Sequence, residues 1–264
     1  MTPDFTPPAH ALAGQLTAWR RDFHRHPETA FEEQRTAALV ADYLASLGLE
    51  VQTGVGQTGV VGVLEGARSG PTAMLRFDMD ALPIHEETGL PFASQAAGKM
   101  HACGHDGHTA IGLGVASLLA GQQERLAGRV KFVFQPAEEI AQGARAMIAD
   151  GLLASPKPDV MFGLHLWSQI PLGRAVVKAG PLWASSDRFA LEIVGRGSHG
   201  AMPHQGIDAI AVAAYAIAQL QTIVSRDRDP LEPAVLTIGT IRGGDAFNVL
   251  AERVQMSGTL RTFD

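Results

Sequence analysis

The first 180 residues alternate between helical stretches and short apolar runs, and that alternation limits the fold more than any other feature. Helical spacing carries Leu12, Leu16, Trp19 and Phe23 in His10–Arg25, and Leu39, Val40, Tyr43, Leu44 and Leu47 in Glu32–Leu47, with Gly48 as a stop signal. Short apolar runs at Val60–Leu64, Ala73–Phe77, Val130–Phe134 and Val160–Leu166 are too short for helices and bounded like buried strands. Helical stretches at Thr109–Leu119 and Ala144–Leu153 separate the later runs. Strands alternating with helices imply an α/β sheet, here a mixed one, covered by helices on both faces. In such sheets ligands gather beyond the carboxyl ends of the strands. Asp78, Asp80, Glu138, Glu139 and His165 all fall at or just after strand ends, or within the last one.

After Gly180 the pattern changes. Asp187–Val194 alternates as a strand, Asp208–Val224 reads as an unusually apolar helix, and two strands follow at Ala234–Ile241 and Arg253–Arg261, joined through Gly243-Gly244-Asp245. This is β-α-β-β, the first four elements of a ferredoxin-like unit. The expected organisation is a catalytic domain over 1–183 and a smaller, incomplete ferredoxin-like domain over 184–264.

Composition narrows the function classes. A net charge of -6 without a Lys/Arg cluster argues against nucleic-acid binding. No run of about 18 apolar residues suggests a membrane span, and the first residues lack a secretory pattern. The chain has one cysteine, so it forms no internal disulfide, and a reducing cytoplasm is the expected location.

That cysteine stands in His-Ala-Cys-Gly-His at 101–105. Elsewhere a lone cysteine is usually a small buried hydrophobe. Beside His105, and with Glu139 and His165 available, Cys103 completes a set of thiolate, imidazole and carboxylate suited to a divalent transition metal. A nucleophilic Cys103–His105 pair is disfavoured, because a thiol nucleophile needs its base opposite in space rather than two residues along a loop. Adjacent Glu138 and Glu139 could begin an exposed helix, or one could bind metal while the other moves a proton; the residues alone do not choose between these roles. Asp78 and Asp80, two apart at a strand end, project to one side or serve a turn. His101 and His108 read as structural or supporting groups.

Four motifs in order carry a resemblance: Arg-Phe-Asp-Met-Asp-Ala-Leu-Pro at 76–83, Met-His-Ala-Cys-Gly-His-Asp-Gly-His at 100–108, Phe-Gln-Pro-Ala-Glu-Glu at 134–139 and Ser-His-Gly-Ala-Met-Pro-His at 198–204. Together they resemble the M20 metallopeptidase family, in particular its amidohydrolases of N-acyl amino acids, including hippurate hydrolases. The resemblance implies two divalent metal ions per subunit, zinc or manganese first and nickel or cobalt as alternatives, held by Cys103, His105, Glu139 and His165. It implies Glu138 as general base, and Asp80 as the aspartate that orients the site. Asp78 stands where more distant members have a metal-binding histidine, so no metal role is carried to it. His199 is implied to stabilise the oxyanion, often in the partner subunit's site, and Asn248 to contact the substrate carboxylate. The implied protein is a homodimer through its lid domain that cleaves hippurate-like N-acyl amino acids. An M20 dipeptidase or aminoacylase, or an inactive dimerisation or binding module, is the alternative. The family's fifth ligand, a histidine further on, has no counterpart before Asp264, so a C-terminally truncated form is expected.

Overall fold

The computed structural model describes residues 4–264, which form two compact units that divide between Pro171 and Leu172. In the first unit α1 (Thr6–Ala11), α2 (Ala13–Arg25) and α3 (Gln34–Ser46) precede β1 (Glu50–Val55), β2 (Gly59–Glu65) and β3 (Arg68–Asp78). Then come α4 (His105–Ala120), β4 (Ala127–Gln135), α5 (Gly143–Ala149) and β5 (Val160–Gly163). The five strands make one mixed sheet in the order β1-β2-β4-β3-β5. β1 and β2, and β2 and β4, pair antiparallel; β3 lies parallel to both β4 and β5.

The pleat sorts side chains to two faces. Val60, Leu64, Phe77, Phe132 and Phe134 pack with Phe23, Val40, Leu44 and Leu113 from α2, α3 and α4. The alternate residues Val61, Met74 and Val133 meet Met147 of α5 and Leu152 on the other face. Both faces of the sheet are therefore covered. Gly112 shows how closely α4 lies: a Cβ there would come within 2.8 Å of the rings of Phe77 and Phe134.

Four readings of the sequence are corrected. The first helix is divided at Leu12 rather than continuous from His10. The strand β1, polar and interrupted by Gly54, was not legible as one; it is held at the sheet edge by its pairing with β2. The last run ends as a strand at Gly163, so His165 lies beyond the strand rather than inside it. The chain leaves β3 there because Leu166 N–H donates to Nε2 of His108 on α4, at 2.8 Å. Nor is β5 buried: it is an edge strand, and Met161 and Phe162 are each 59% exposed.

The second unit contains β6 (Asp187–Val194), α6 (Ala209–Thr222), β7 (Ala234–Gly243) and β8 (Arg253–Thr262). Its antiparallel sheet runs β6-β8-β7, so β6 and β7 flank β8 in the arrangement a β-α-β-β unit produces. Asp208 caps α6, accepting from the N–H groups of Ile210 and Ala211. Ala209, Ala213 and Ile217 pack on Leu191, Ile193, Ile238, Val254 and Met256. Together with its following turn the helix, Ala209–Asp227, has the length and mean hydropathy (1.2) of a membrane span, although no unbroken run of 18 apolar residues occurs. Its outer face leaves Ile210, Val212 and Tyr215 exposed.

Candidate metal centre

The carboxyl ends of β3, β4 and β5 point the same way, and the loops leaving them converge on the start of α4. β3 ends at Asp78 and is followed by Asp80; β4 runs into Pro136–Glu139; β5 runs into His165. Gly104, at φ 89°, is the hinge. Its left-handed backbone suits glycine and turns the chain into α4, leaving Cys103 outside the helix and His105 as its first residue.

His105 is fully buried at the focus. Its Nδ1 lies 2.9 Å from the carbonyl oxygen of Asp80, which can only accept, so Nδ1 carries the proton. The other nitrogen, Nε2, faces carboxylate oxygens of Asp78 at 3.6 Å and of Glu138 and Glu139 at 3.9 Å each. His165 is oriented the same way: Nδ1 donates to the carbonyl oxygen of Leu166 at 2.6 Å, and Nε2 faces Cys103 Sγ at 3.5 Å. The ligand atoms of Cys103, His105 and His165 all lie within 4.8 Å of one another, as do those of His105, Glu138 and Glu139. Two overlapping groups thus share His105.

The electrostatics call for positive charge here. Burial of His105 opposes protonation, but Asp80, Cys103 and Asp78 outweigh it and push its pKa up to about 11. Burial raises the pKa of Glu139, with Glu138 and Asp80 adding to the rise against the opposing pull of His105 and Cys103. Among the described residues, His105 Nε2, Asp80 Oδ1 and Glu139 Oε1 are buried without a hydrogen-bond partner. Buried polar atoms are normally satisfied. A cysteine sulfur, imidazole nitrogens and carboxylate oxygens directed at one another are the donor set of a transition-metal site, and these residues fit one.

The ligand atoms of a third cluster, Asp78, His105 and His108, also lie within 4.8 Å of one another. His108 is already committed at both nitrogens: Nε2 accepts from Leu166 N–H, so Nδ1 carries the proton that goes to Asp78 Oδ1, 2.5 Å away. Arg76 lies 2.6 Å from the other Asp78 oxygen. Burial works against the Asp78 charge, but His108 and Arg76 hold its pKa down at about 2. The pair works as a brace between β3, α4 and the His165 loop. Asp80 has a similar task, since one of its oxygens accepts the Glu139 N–H at 3.0 Å. His101 is buried with neither ring nitrogen hydrogen-bonded among the described residues, and burial lowers its pKa to about 4, so it is a neutral imidazole.

The two glutamates differ in exposure. The Glu138 side chain is 41% exposed and that of Glu139 18%. Sequence reasoning missed a third acid, Glu33, which is fully buried and accepts the Ala137 N–H at 2.9 Å. Its position ahead of an apolar helix reads as ordinary capping chemistry, and nothing local marks it as buried.

His199 and Asn248 belong to the second unit. Segments 198–200 and 248–250 pair through Gly200 N–H to the Asn248 carbonyl (2.7 Å) and Leu250 N–H to the Ser198 carbonyl (2.9 Å). His199 Nδ1 accepts from Ala201 N–H at 3.1 Å, so the neutral ring presents Nε2–H as a donor.

The sequence profile of peptidase family M20/M25/M40 matches residues 74–257. An N-acetyl-L-cysteine deacetylase of Bacillus subtilis is 47% identical over 253 residues, which cover 96% of this chain and 60% of that enzyme. An N-acyl-L-amino acid amidohydrolase of Geobacillus stearothermophilus is 46% identical over 250 residues, covering 94% and 67%. The crystal structure of a dinuclear metal-binding peptidase from Bacillus subtilis superposes with a TM-score of 0.80 at 41% identity, covering 97% of this chain and 65% of that one. The chain spans little more than three fifths of the length of the first curated relatives it matches.

Proposed function

The chain belongs to peptidase family M20/M25/M40, and on that premise we propose that its protein is a binuclear metal-dependent amidohydrolase of N-acyl amino acids. The reaction adds water across the amide bond and releases a carboxylic acid and an amino acid. The observation that carries the reading is the convergence of Cys103, His105, His165, Glu138 and Glu139 in two groups sharing His105. Cys103, His105, His165 and Glu139 would hold the ions, zinc or manganese. When bound, the ions supply Lewis acidity toward the acyl carbonyl and acidify water.

The chain's own residues do the rest. Glu138, the more exposed of the two acids, takes the proton from the attacking water and returns it to the leaving amine. Asp80 holds His105 through its backbone carbonyl and the Glu139 backbone through its carboxylate, so it positions groups without entering the reaction. His199 offers Nε2–H to the oxyanion, and Asn248 contacts the substrate carboxylate. The second unit is the lid and, through its exposed apolar helix face, the homodimer contact. The reducing cytoplasm is the proposed location, where a ligand thiol stays unoxidised.

Hippurate-like N-aroyl amino acids are the first substrates we propose, with N-acetyl amino acids supported by the names of the relatives. Purified protein loaded with zinc or manganese should hydrolyse N-benzoyl- or N-acetyl-amino acids in preference to dipeptides, and chelation should stop it. Preference for dipeptides would refute the substrate class. Turnover that survives complete metal removal would refute the chemistry.

A further inference from the structure

Glu138 and Glu139 sit on a backbone segment that is held out of its relaxed conformation. Ala137, fully buried just before them, has φ 49°, a left-handed geometry unfavourable for a residue with a side chain. Such strain persists only where surrounding contacts over-determine it. Four hydrogen bonds do so here. The Ala137 carbonyl accepts from the N–H groups of Gln142 (3.3 Å) and Gly143 (3.1 Å), Asp80 takes the Glu139 N–H, and Glu33 takes the Ala137 N–H.

Glu33 is the remote one. It stands at the N-cap position of α3 without capping it through its side chain, 104 residues before Ala137 in sequence, and its carboxylate bridges two donors: Ala137 N–H at 2.9 Å and the Thr58 hydroxyl at 2.5 Å, in the turn before β2. All three residues are buried. A fully buried carboxylate is costly unless its oxygens find donors, and here each oxygen has one. The two captured N–H groups, on Ala137 and Glu139, flank Glu138. Two carboxylates from different elements therefore clamp the chain on either side of it.

We infer that Glu33 is a positioning residue of the metal centre: by holding the Ala137 amide it fixes the loop that aims the Glu139 carboxylate at His105. It touches neither substrate nor metal and acts only through the backbone. The inference rests on the metal-centre reading above.

The test is zinc affinity, measured on metal-free protein by competition with a chromogenic chelator, beside circular dichroism and thermal melts. Glu33→Ala leaves the Ala137 N–H unpaired and lets the loop relax, and zinc should bind roughly 10–100-fold more weakly, as when other groups supporting a ligand are removed. Glu33→Gln keeps an oxygen for Ala137, while the Thr58 hydroxyl can turn to accept from the new amide. Its zinc affinity should stay within about threefold of wild type. If Glu33→Ala does not fold, Glu33→Asp replaces it; one methylene shorter, it cannot reach both donors, and the same loss is expected. Wild-type affinity in the Ala or Asp variant would overturn the inference. So would a loss in Glu33→Gln equal to that in Glu33→Ala, because the acceptor would then be irrelevant. Wild-type protein that takes up no zinc would instead overturn the metal-centre reading itself.

Discussion

Replacing Glu138 with glutamine separates the two roles that adjacent acids can play, because charge loss and base loss differ in size. Glutamine preserves shape and removes one negative charge. Glu138 Oε2 lies 3.9 Å from His105 Nε2, which marks where positive charge is favoured. At that distance two unit charges interact by about 4 kcal/mol under the effective dielectric of a protein surface and about 1 kcal/mol in bulk water. The side chain is 41% exposed, so screening brings the value towards the lower figure. Metal affinity should therefore fall only about fivefold in Glu138→Gln. Loss of a positioned general base costs roughly 10²–10⁴ in rate. The expected result is near-normal metal content by elemental analysis and a kcat lower by two to four orders of magnitude, with KM little changed. Glu139→Gln, at the more buried acid, should lose metal along with activity. If Glu138→Gln loses as much metal as Glu139→Gln, the two roles are reversed or shared, and the argument from exposure is wrong.

Cys103→Ala removes the only thiolate, and metal occupancy after dialysis should drop sharply with the fold intact; unchanged occupancy would show that the sulfur is not a ligand. Metal binding should release protons, because a cation must displace the proton that His105 holds in metal-free protein, where its pKa is about 11. Calorimetry in buffers of different ionisation enthalpy should find at least one proton released at pH 7, and none released would contradict the assignment. The same shift has a consequence for stability: a histidine pKa raised above 6.5 stabilises the metal-free fold fully below pH 6.5, and that contribution is lost as pH climbs towards about 11. The apparent melting temperature of the metal-free protein should therefore fall as pH rises above neutrality. Mixing His199→Ala with Glu138→Gln protein, with subunit exchange verified, should restore part of the activity if His199 serves its partner's site, because one site then carries neither defect; no recovery would confine His199 to its own chain.

The elements that rest on local pattern were legible in the sequence. Apolar runs of strand length located β2, β3 and β4, and 3.6-residue spacing located α2, α3, α4 and α6, because buried faces impose those periods on any chain. Cys103, His105, Glu139 and His165 read in the sequence as a candidate ligand set by residue type alone; which of them come together is seen only in the fold, as two groups sharing His105. Position within the sheet was not. The edge strands show this: β1 is too polar to read as a strand, and β5 has the apolar run of a buried strand though it pairs only with β3. Which nitrogen of His105 and His165 faces the ligand cluster was settled only by the carbonyls of Asp80 and Leu166, which the fold brings within reach of Nδ1. His108 became a brace only because Asp78 and Leu166 occupy both its nitrogens. Glu33 is the clearest case. A glutamate before an apolar helix looks like any cap, and its burial against Ala137 depends on a contact 104 residues away. Periodicity reports which face a residue presents; which atoms meet there is decided by the closure of long loops, and the sequence holds no local record of that closure.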